Sequence, residues 1–173
     1  MPGITSVTVY CGSANGADPK YPDLATRLGK AIARRGWRTV YGGGNVGLMG
    51  KVASAARDSG GKVLGVMPHF LRELEGVLDG IENRYTDNMH QRKQSLLDEA
   101  DGLIVLPGGI GTLEEAVETL SWAKLSLHRK PMAFLSENNY WQPYFKLIDH
   151  MIEGAFLPES FLQLMADTNS PEA

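Results

Sequence analysis

The chain has 173 residues, of which 43% are apolar, and a formal net charge of −3. This length favours a single domain that buries roughly 70% of its unfolded surface. The mild negative charge argues against a general nucleic-acid or membrane binder, and no stretch approaches the roughly 18 apolar residues of a membrane span. With one cysteine, Cys11, and no signal-peptide pattern at the N-terminus, we expect a cytoplasmic protein without internal disulfides.

Strand-like and helix-like segments alternate along the sequence. Strands are predicted over residues 4–10, 37–41, 62–68, 102–107 and 131–135. Helices are predicted over 21–35, 46–60, 87–100, 112–127 and 140–153, with an amphipathic piece at 158–166. The irregular segment 69–86 is interpreted as a flap, and 167–173 as a frayed tail. This alternation predicts an α/β fold, a doubly wound parallel sheet in one domain over residues 1–166.

Three glycine-bearing turns follow predicted strands. They are CGSANG at 11–16, GGGNVGLMG at 42–50 and PGGIGT at 107–112. In open parallel sheets, ligands bind beyond the carboxyl ends of the strands. We therefore expect the three turns to surround one binding site.

The second turn contains a G-x-G-x-x-G pattern at Gly42, Gly44 and Gly47. A dinucleotide site is disfavoured because the pattern follows the second strand and no acidic residue ends the next one. A phosphate loop of the Walker type is disfavoured by the spacing and by Val52, which stands where a hydroxyl is needed. Two interpretations remain: tight turns with close helix packing, or amides near Gly43 and Gly44 that face a phosphate or a sugar.

The third turn precedes a predicted helix and leaves the amides of Gly108, Gly109 and Gly111 uncovered. With Thr112 as N-cap and the positive end of the helix dipole, these amides would form a small phosphate cradle. The alternative is purely structural. Residues Thr112 to Glu115 read T-x-x-E, the pattern of a capping box in which the glutamate bonds back to the threonine amide.

Helical spacing gives Glu115 a predicted direction. An apolar stripe is expected to face the sheet, formed by Leu113, Val117, Leu120 and Leu127. Glu115 lies nearly opposite that stripe, so it is predicted to point away from the core. Its side of the helix also carries Trp122, with Leu125 close by, and an apolar second face indicates a subunit contact. We hypothesise that Glu115 lines a cleft near a dimer interface.

A basic pair occurs in MHQRK at 89–93, at the start of the helix before the buried strand. Arg92 offers a planar fork of donors and Lys93 a point charge, both suited to anionic groups. The alternative is a solvated helix face. No metal site is predicted, because the four histidines lack ligand spacing.

Taken together, CGS, YGGGNVGLMG, MHQRK and PGGIGTLEE resemble the LOG (Lonely Guy) family, whose members are cytokinin riboside 5′-monophosphate phosphoribohydrolases. The resemblance extends from about Val7 to Phe156. It implies a Rossmann-like fold, a homodimer and no cofactor. It also implies hydrolysis of the N-glycosidic bond of a nucleoside 5′-monophosphate to free base and ribose 5-phosphate, with AMP as a further substrate of bacterial members.

The resemblance assigns roles by position. The catalytic pair would be Arg92 and Glu115. Contacts to the nucleotide would come from Lys93, Gly109, Ile110, Gly111, Thr112, Leu113, Glu114 and Ser121, and from Glu73 after a one-residue adjustment. Further substrate contacts are predicted at Ser13, Gly43, Gly44, Met89 and Gly108.

The chemistry suits these residues. Glycosidic cleavage passes through an oxocarbenium-like state. A carboxylate can stabilise this cation or activate the water that attacks it.

The sequence leaves two other functions to consider. A non-catalytic nucleotide or molybdenum-cofactor carrier on the same fold would need neither Arg92 nor Glu115. A pyridoxal-phosphate decarboxylase needs a lysine in a recognisable setting, and the sequence offers none.

Overall fold

The computed structural model describes residues 3–172. Within them lies one parallel sheet in the order β4-β3-β2-β1-β5-β6-β7. The strands are β1 (Ser6–Tyr10), β2 (Arg38–Tyr41), β3 (Val63–Pro68), β4 (Glu82–Thr86), β5 (Gly102–Val105), β6 (Met132–Leu135) and β7 (Met165–Thr168). The predicted α/β fold with a doubly wound parallel sheet is confirmed.

Helices cover both faces of this sheet. They are α1 (Lys20–Arg34), α2 (Gly47–Asp58), α3 (Arg72–Glu75), α4 (Met89–Asp98), α5 (Ile110–Lys124) and α6 (Gln142–Glu153). Helices α1 and α2 contribute to one apolar core, and α4, α5 and α6 to the other. Because helices cover both faces, every residue of β1 is buried, as expected for a central parallel strand. Among the described residues, no helix has the length and apolar character needed to cross a membrane.

The segment 69–86 is more regular than its sequence indicates. It forms a 3-10 turn (His69–Leu71), the short helix α3 and the edge strand β4, which pairs with β3. The sequence of β4, ENRYT, has neither an apolar run nor a clean alternation, and only Thr86 is fully buried. Edge strands carry polar residues because one side meets solvent, so hydropathy alone did not predict this strand.

The C-terminal segment also differs from its prediction. Residues Glu159–Leu164 form a 3-10 helix, and β7 then pairs with β6, with Asp167 opposite Phe134 and Thr168 opposite Leu135. The sheet thus includes two residues that the sequence analysis assigned to a frayed tail at 167–173. Beyond β7, the carbonyl of Glu172 accepts a hydrogen bond from Arg35. Ala173, the last residue of the predicted tail, lies outside the described residues.

Candidate active site

The turns after β1 and β5 meet at the point where the strand order reverses. The Gly12 amide donates to the Pro107 carbonyl over 3.1 Å. A Cβ on Gly12 would lie 3.2 Å from the Gly108 Cα, so the two backbones approach as closely as glycine allows. The chain segments that follow these two strands pass to opposite faces of the sheet. Their divergence opens a crevice, and folds of this type bind ligands there.

A cavity of about 320 Å³ occupies this crevice. Its lining comes from the ends of several strands and from all three glycine-bearing turns. The lining residues are Val9, Tyr10, Cys11, Ser13, Gly42, Met49, Glu75, Arg92, Gly109, Ile110, Gly111, Thr112 and Glu115. The volume lies at the lower end of the range for small-molecule sites.

Arg92 is buried at the back of this cavity. The Asn88 side chain caps α4 by accepting from the Gln91 amide, which sets the helix start, and Arg92 follows on the inner face with 6% of its surface exposed. Its Nε donates to the carbonyl of Val66 (3.1 Å) and its Nη2 to that of Gly42 (3.0 Å). The solvated-face alternative is therefore wrong for Arg92, because a buried guanidinium held by two backbone carbonyls does not face solvent.

Helix α5 begins earlier than predicted. Its first residue is Ile110, and the N-cap is Gly109 with extended backbone, so Thr112 is a buried helical residue and not the cap. The predicted N-cap and capping box at Thr112 are both wrong. The glycine-rich turn enters the helix three residues sooner than the T-x-x-E pattern indicates, since the N-cap is Gly109 and not Thr112, and Glu115 consequently lies in the second turn.

The face of α5 that packs on the sheet also differs from the predicted stripe. Leu120 is buried and Leu113 packs against the core, as predicted, but Val117 is 45% exposed and Leu127 is 70% exposed, so the stripe is wrong for these two residues. The buried residues of the helix are Thr112, Ala116, Thr119 and Leu120, whose mostly small side chains let the helix approach the strands. Glu115 does not point away from the core. Its side chain is 13% exposed and lines the cavity.

Arg92 and Glu115 face each other across the cavity. The Nη1 atom of Arg92 lies 3.7 Å from Oε1 of Glu115, an ion pair with both partners nearly excluded from solvent. Burial raises the pKa of Glu115 to about 7, while the positive charge of Arg92 opposes that rise. The carboxyl group can therefore exchange a proton near neutral pH, as a catalytic acid or base must.

Burial holds two further groups of the lining, the Cys11 thiol and the Tyr10 phenol, in their neutral forms. Desolvation raises the pKa of the Cys11 thiol well above its usual range and does the same for the Tyr10 phenol. A protonated thiol is a weak nucleophile. In this environment Cys11 serves as a small buried apolar residue.

Glu75 also lines the cavity, although no motif in the sequence indicates it. Its Oε2 atom is buried and has no hydrogen-bond partner within the described structure, and burial raises the pKa of its carboxyl group. Glu73, the glutamate predicted to contact the nucleotide, is exposed and outside the lining. Residues two apart on a helix point in nearly opposite directions, so only one of these glutamates can face inward. The sequence R-E-L-E contains no signal that selects between them.

The remaining predicted contacts divide into two groups. Ser13, Gly109, Ile110, Gly111 and Thr112 line the cavity. Outside its lining are Gly43, Gly44, Met89, Lys93, Gly108, Leu113, Glu114 and Ser121, whose predicted roles stay predictions.

Several residues of the second group have structural contacts instead. The Nζ of Lys93 donates to Glu114 (2.7 Å) and Glu118 (3.0 Å) and so joins α4 to α5. A Cβ on Gly44 would lie 2.9 Å from Oε2 of Glu75. Gly43 lies against β3 and has a left-handed backbone conformation, with φ of +85°. Close packing at Gly44 and backbone conformation at Gly43 therefore account for glycine at these two positions.

The fold and the cavity at its switch point define a Rossmann-like α/β protein with a buried arginine–glutamate site. A family model described as possible lysine decarboxylase matches residues 49–173. The cytokinin riboside 5′-monophosphate phosphoribohydrolase of Rhodococcoides fascians is 46% identical over 160 residues, which cover 91% of this chain and 81% of that protein. The enzyme named LOG from Oryza sativa subsp. japonica is 44% identical, over 88% of this chain and 64% of its own length. The chain belongs to this LOG family.

Solved structures support the same fold. The molybdenum cofactor binding protein from Rippkaea orientalis superposes with a TM-score of 0.72 at 22% identity, over 99% of this chain and 93% of that one. The molybdenum cofactor carrier protein from Chlamydomonas reinhardtii superposes with a TM-score of 0.70 at 21% identity, over 96% and 90%. At these identities the likeness concerns the fold alone.

Removing the charge of Arg92 should raise the pKa of Glu115 further. In Arg92→Met we expect the midpoint of the Glu115 titration to move up from about 7 by about one unit or more, because the cation that favours the ionised carboxyl is lost. Carbon-13 NMR of labelled glutamate carboxyls measures this shift. Lys93→Met is the matched control and should give a smaller rise. A titration that is unchanged or lowered in Arg92→Met would contradict the described pairing.

Proposed function

We propose that this protein hydrolyses the N-glycosidic bond of adenosine 5′-monophosphate, plain or N6-modified, to free base and ribose 5-phosphate. The observation that supports this most is the buried pair of Arg92 and Glu115, 3.7 Å apart, in a cavity that also receives the start of α5. The relatives from Rhodococcoides fascians and rice are named as phosphoribohydrolases of cytokinin riboside 5′-monophosphate.

The start of α5 would bind the 5′-phosphate. The first amides of a helix have no partner within it, and those of Ile110, Gly111 and Thr112 belong to residues that line the cavity. The helix dipole adds partial positive charge at the same end. Ser13 from the first turn lines the same space and would add a hydroxyl donor.

Glu115 would act on the sugar. It lies four residues beyond Gly111, roughly 6 Å further along the helix axis, which is a suitable offset between a phosphate and the ribose it carries. As the C–N bond breaks, its electron pair leaves with the base and positive charge grows on the ribose. The carboxylate would stabilise that charge and accept one proton of the water whose oxygen bonds to the anomeric carbon, and the departing base would take up a proton in turn, so that water is divided between the two products.

Arg92 would supply a fixed positive charge to the site. Its guanidinium cannot swing away, since two carbonyl oxygens hold it. A fixed cation needs no reorganisation when negative charge develops on the departing base, which is the condition under which electrostatic stabilisation is most effective. Its charge also keeps part of the Glu115 population ionised at neutral pH.

Two other functions fit less well. A carrier on the same fold would not require a desolvated acid beside a buried arginine, and the carrier proteins resemble this chain only in fold. A lysine decarboxylase, as the family model is described, needs a lysine to hold pyridoxal phosphate. Among residues 3–172, no lysine lines the cavity, and Lys93 nearby bonds to two carboxylates.

Replacing the proposed catalytic carboxyl tests this function directly. Glu115→Gln keeps the size of the side chain but cannot carry charge or accept a proton, so adenine release from AMP and from isopentenyl-AMP should fall at least about 100-fold. Chromatography of the products measures the rate, and a melting curve checks the fold. Glu118→Gln, one turn further along the helix, should keep activity within about threefold because Lys93 still bonds Glu114. An active Glu115→Gln enzyme would refute the proposal.

We propose in addition that Glu75 binds the ribose hydroxyls. Its buried oxygen lacks a donor, and an unsatisfied carboxylate oxygen costs free energy until a donor arrives. The Asn45 amide donates to the Glu75 carbonyl over 2.9 Å, which holds this end of α3 at the cavity. The 2′- and 3′-hydroxyl groups of the substrate are donors of the required kind.

The Glu75 contact should make the enzyme prefer ribose over 2′-deoxyribose. In Glu75→Ala, kcat/KM for AMP should fall about tenfold or more, whereas kcat/KM for 2′-deoxy-AMP should fall less, because that substrate has only its 3′-hydroxyl to bond to Glu75. Coupled assays with both substrates give the ratio. Asp79→Ala removes an exposed acid from the same segment and should leave the ratio intact. An equal loss on both substrates would contradict the contact.

The exposed face of α5 supports a homodimer, which we also propose. Ile110, Val117 and Leu125 are exposed apolar residues on this helix. The predicted substrate contact Ser121 is exposed on the same helix, roughly 13 Å along the axis from Thr112. At that distance Ser121 would reach a nucleotide only if a second copy brought its own cavity to this face.

A charge on this face should separate the subunits. Leu125→Glu is expected to reduce the molar mass measured by light scattering from two chains to one, because a buried unpaired carboxylate opposes association. Leu147→Glu, on the exposed side of α6, is the control and should leave the mass unchanged. A wild-type protein with the mass of a single chain would refute the proposed dimer.

A further inference from the structure

A second cavity lies behind the glycine turn that forms the proposed phosphate site. Its volume is about 260 Å³, and it shares Ser13 and Gly109 with the first cavity. Tyr21, Gly108 and Tyr140 are among its other lining residues. The turn at Gly108 and Gly109 thus separates the two cavities, with Gly109 lining both and Tyr140 lining only the second.

Tyr140 holds this turn by one hydrogen bond. Its hydroxyl donates to the Gly108 carbonyl over 2.5 Å. The ring is fixed by two aromatic neighbours at nearly right angles, with centroid distances of 5.5 Å to Tyr21 and 5.0 Å to Trp141. A tyrosine with a fixed ring places its hydroxyl at a definite point. Tyr140 is not part of the lining of the first cavity.

The segment that carries Tyr140 is conformationally strained. Asn138 and Asn139 both adopt left-handed backbone, with φ of 60° and 58°. Such residues persist only where the surroundings hold them. Here the Trp141 amide donates to the Ser136 hydroxyl over 2.9 Å, and Glu137 pairs with Arg27 on α1 over 2.8 Å. These contacts hold the unfavourable turn in place, and this turn fixes the position of Tyr140.

Peptide geometry connects this bond to the first cavity. In a trans peptide, the Gly108 carbonyl and the Gly109 N–H point in opposite directions from one plane. A bond between two glycines has no Cβ on either side to prevent rotation of that plane. With the carbonyl fixed towards Tyr140, the Gly109 N–H is directed away from the tyrosine.

We infer that Tyr140 is a positioning residue that prevents this peptide from rotating and keeps the Gly109 amide directed at the substrate phosphate. The inference rests on the proposed function, because it assumes that the turn binds the 5′-phosphate. Tyr140 acts only through the backbone and has no contact with substrate. Its role concerns the affinity for the phosphate and not the chemical step at the sugar.

Tyr140→Phe tests the inference because it retains the ring and removes only the donor. The Kd for ribose 5-phosphate and for inorganic phosphate, measured by calorimetry, should rise about fivefold to tenfold, which is the effect of one ordinary hydrogen bond. The KM for AMP should rise by a similar factor while kcat stays within about twofold, since binding at a remote phosphate is shared by ground and transition states. Tyr144→Phe, whose ring stacks on Phe134, is the matched control and should change none of these values.

The outcomes separate this inference from the proposed reaction. A Tyr140→Phe protein with wild-type affinity for ribose 5-phosphate and phosphate would overturn the inference, and so would an equal loss of affinity for adenosine, which has no phosphate. A wild-type protein that binds neither phosphate ligand would also overturn it. A wild-type protein that binds ribose 5-phosphate but releases no base from AMP refutes hydrolysis and leaves the calorimetric comparison valid.

Discussion

The buried guanidinium of Arg92 is the interaction on which the site depends. Moving a charge out of water costs several kcal/mol unless partners replace the lost hydration. Arg92 has three such partners, the carbonyl oxygens of Gly42 and Val66 and the carboxyl of Glu115. Gly42 directly follows β2, Val66 lies within β3 and Glu115 lies on α5, so one side chain on α4 ties four elements together. The same arrangement leaves Glu115 desolvated beside a cation, which is the origin of its ionisation near neutral pH.

Close backbone approach is the second constraint on this edge of the sheet. Gly12 and Gly108 let the turns after β1 and β5 touch, and Gly44 leaves room for the carboxyl of Glu75. Side chains at these positions would fill the space or separate the turns. The cavity exists because several consecutive turns expose main chain, and exposed amides bind anions without any mobile cation. This explains how a chain of net negative charge can offer an anionic ligand a favourable environment.

The sequence predicted the central fold because buried parallel strands are continuous apolar runs and their helices are periodic. The prediction of strands failed where the sequence lacks these apolar and periodic signals. Strands β4 and β7 are at the sheet edges, where polar residues replace apolar ones. Arg92, Glu115 and most of the glycine turn were identified as candidates from their motifs, whereas Glu75 was not, since its direction depends on how a four-residue helix is set against Asn45. The start of α5 was misplaced because a T-x-x-E pattern inside a helix looks the same as one at its cap.

The composition of the two outer strands has a consequence for behaviour at high concentration. Strand β4 presents Glu82 and Arg84 along one margin of the sheet, and Ala166 and Asp167 of β7 are exposed at the other. Unpaired strand margins are where proteins recruit additional strands and grow into fibres, and charged side chains there oppose such growth. The polarity that hid these strands from hydropathy analysis thus protects the folded protein from aggregation by strand addition.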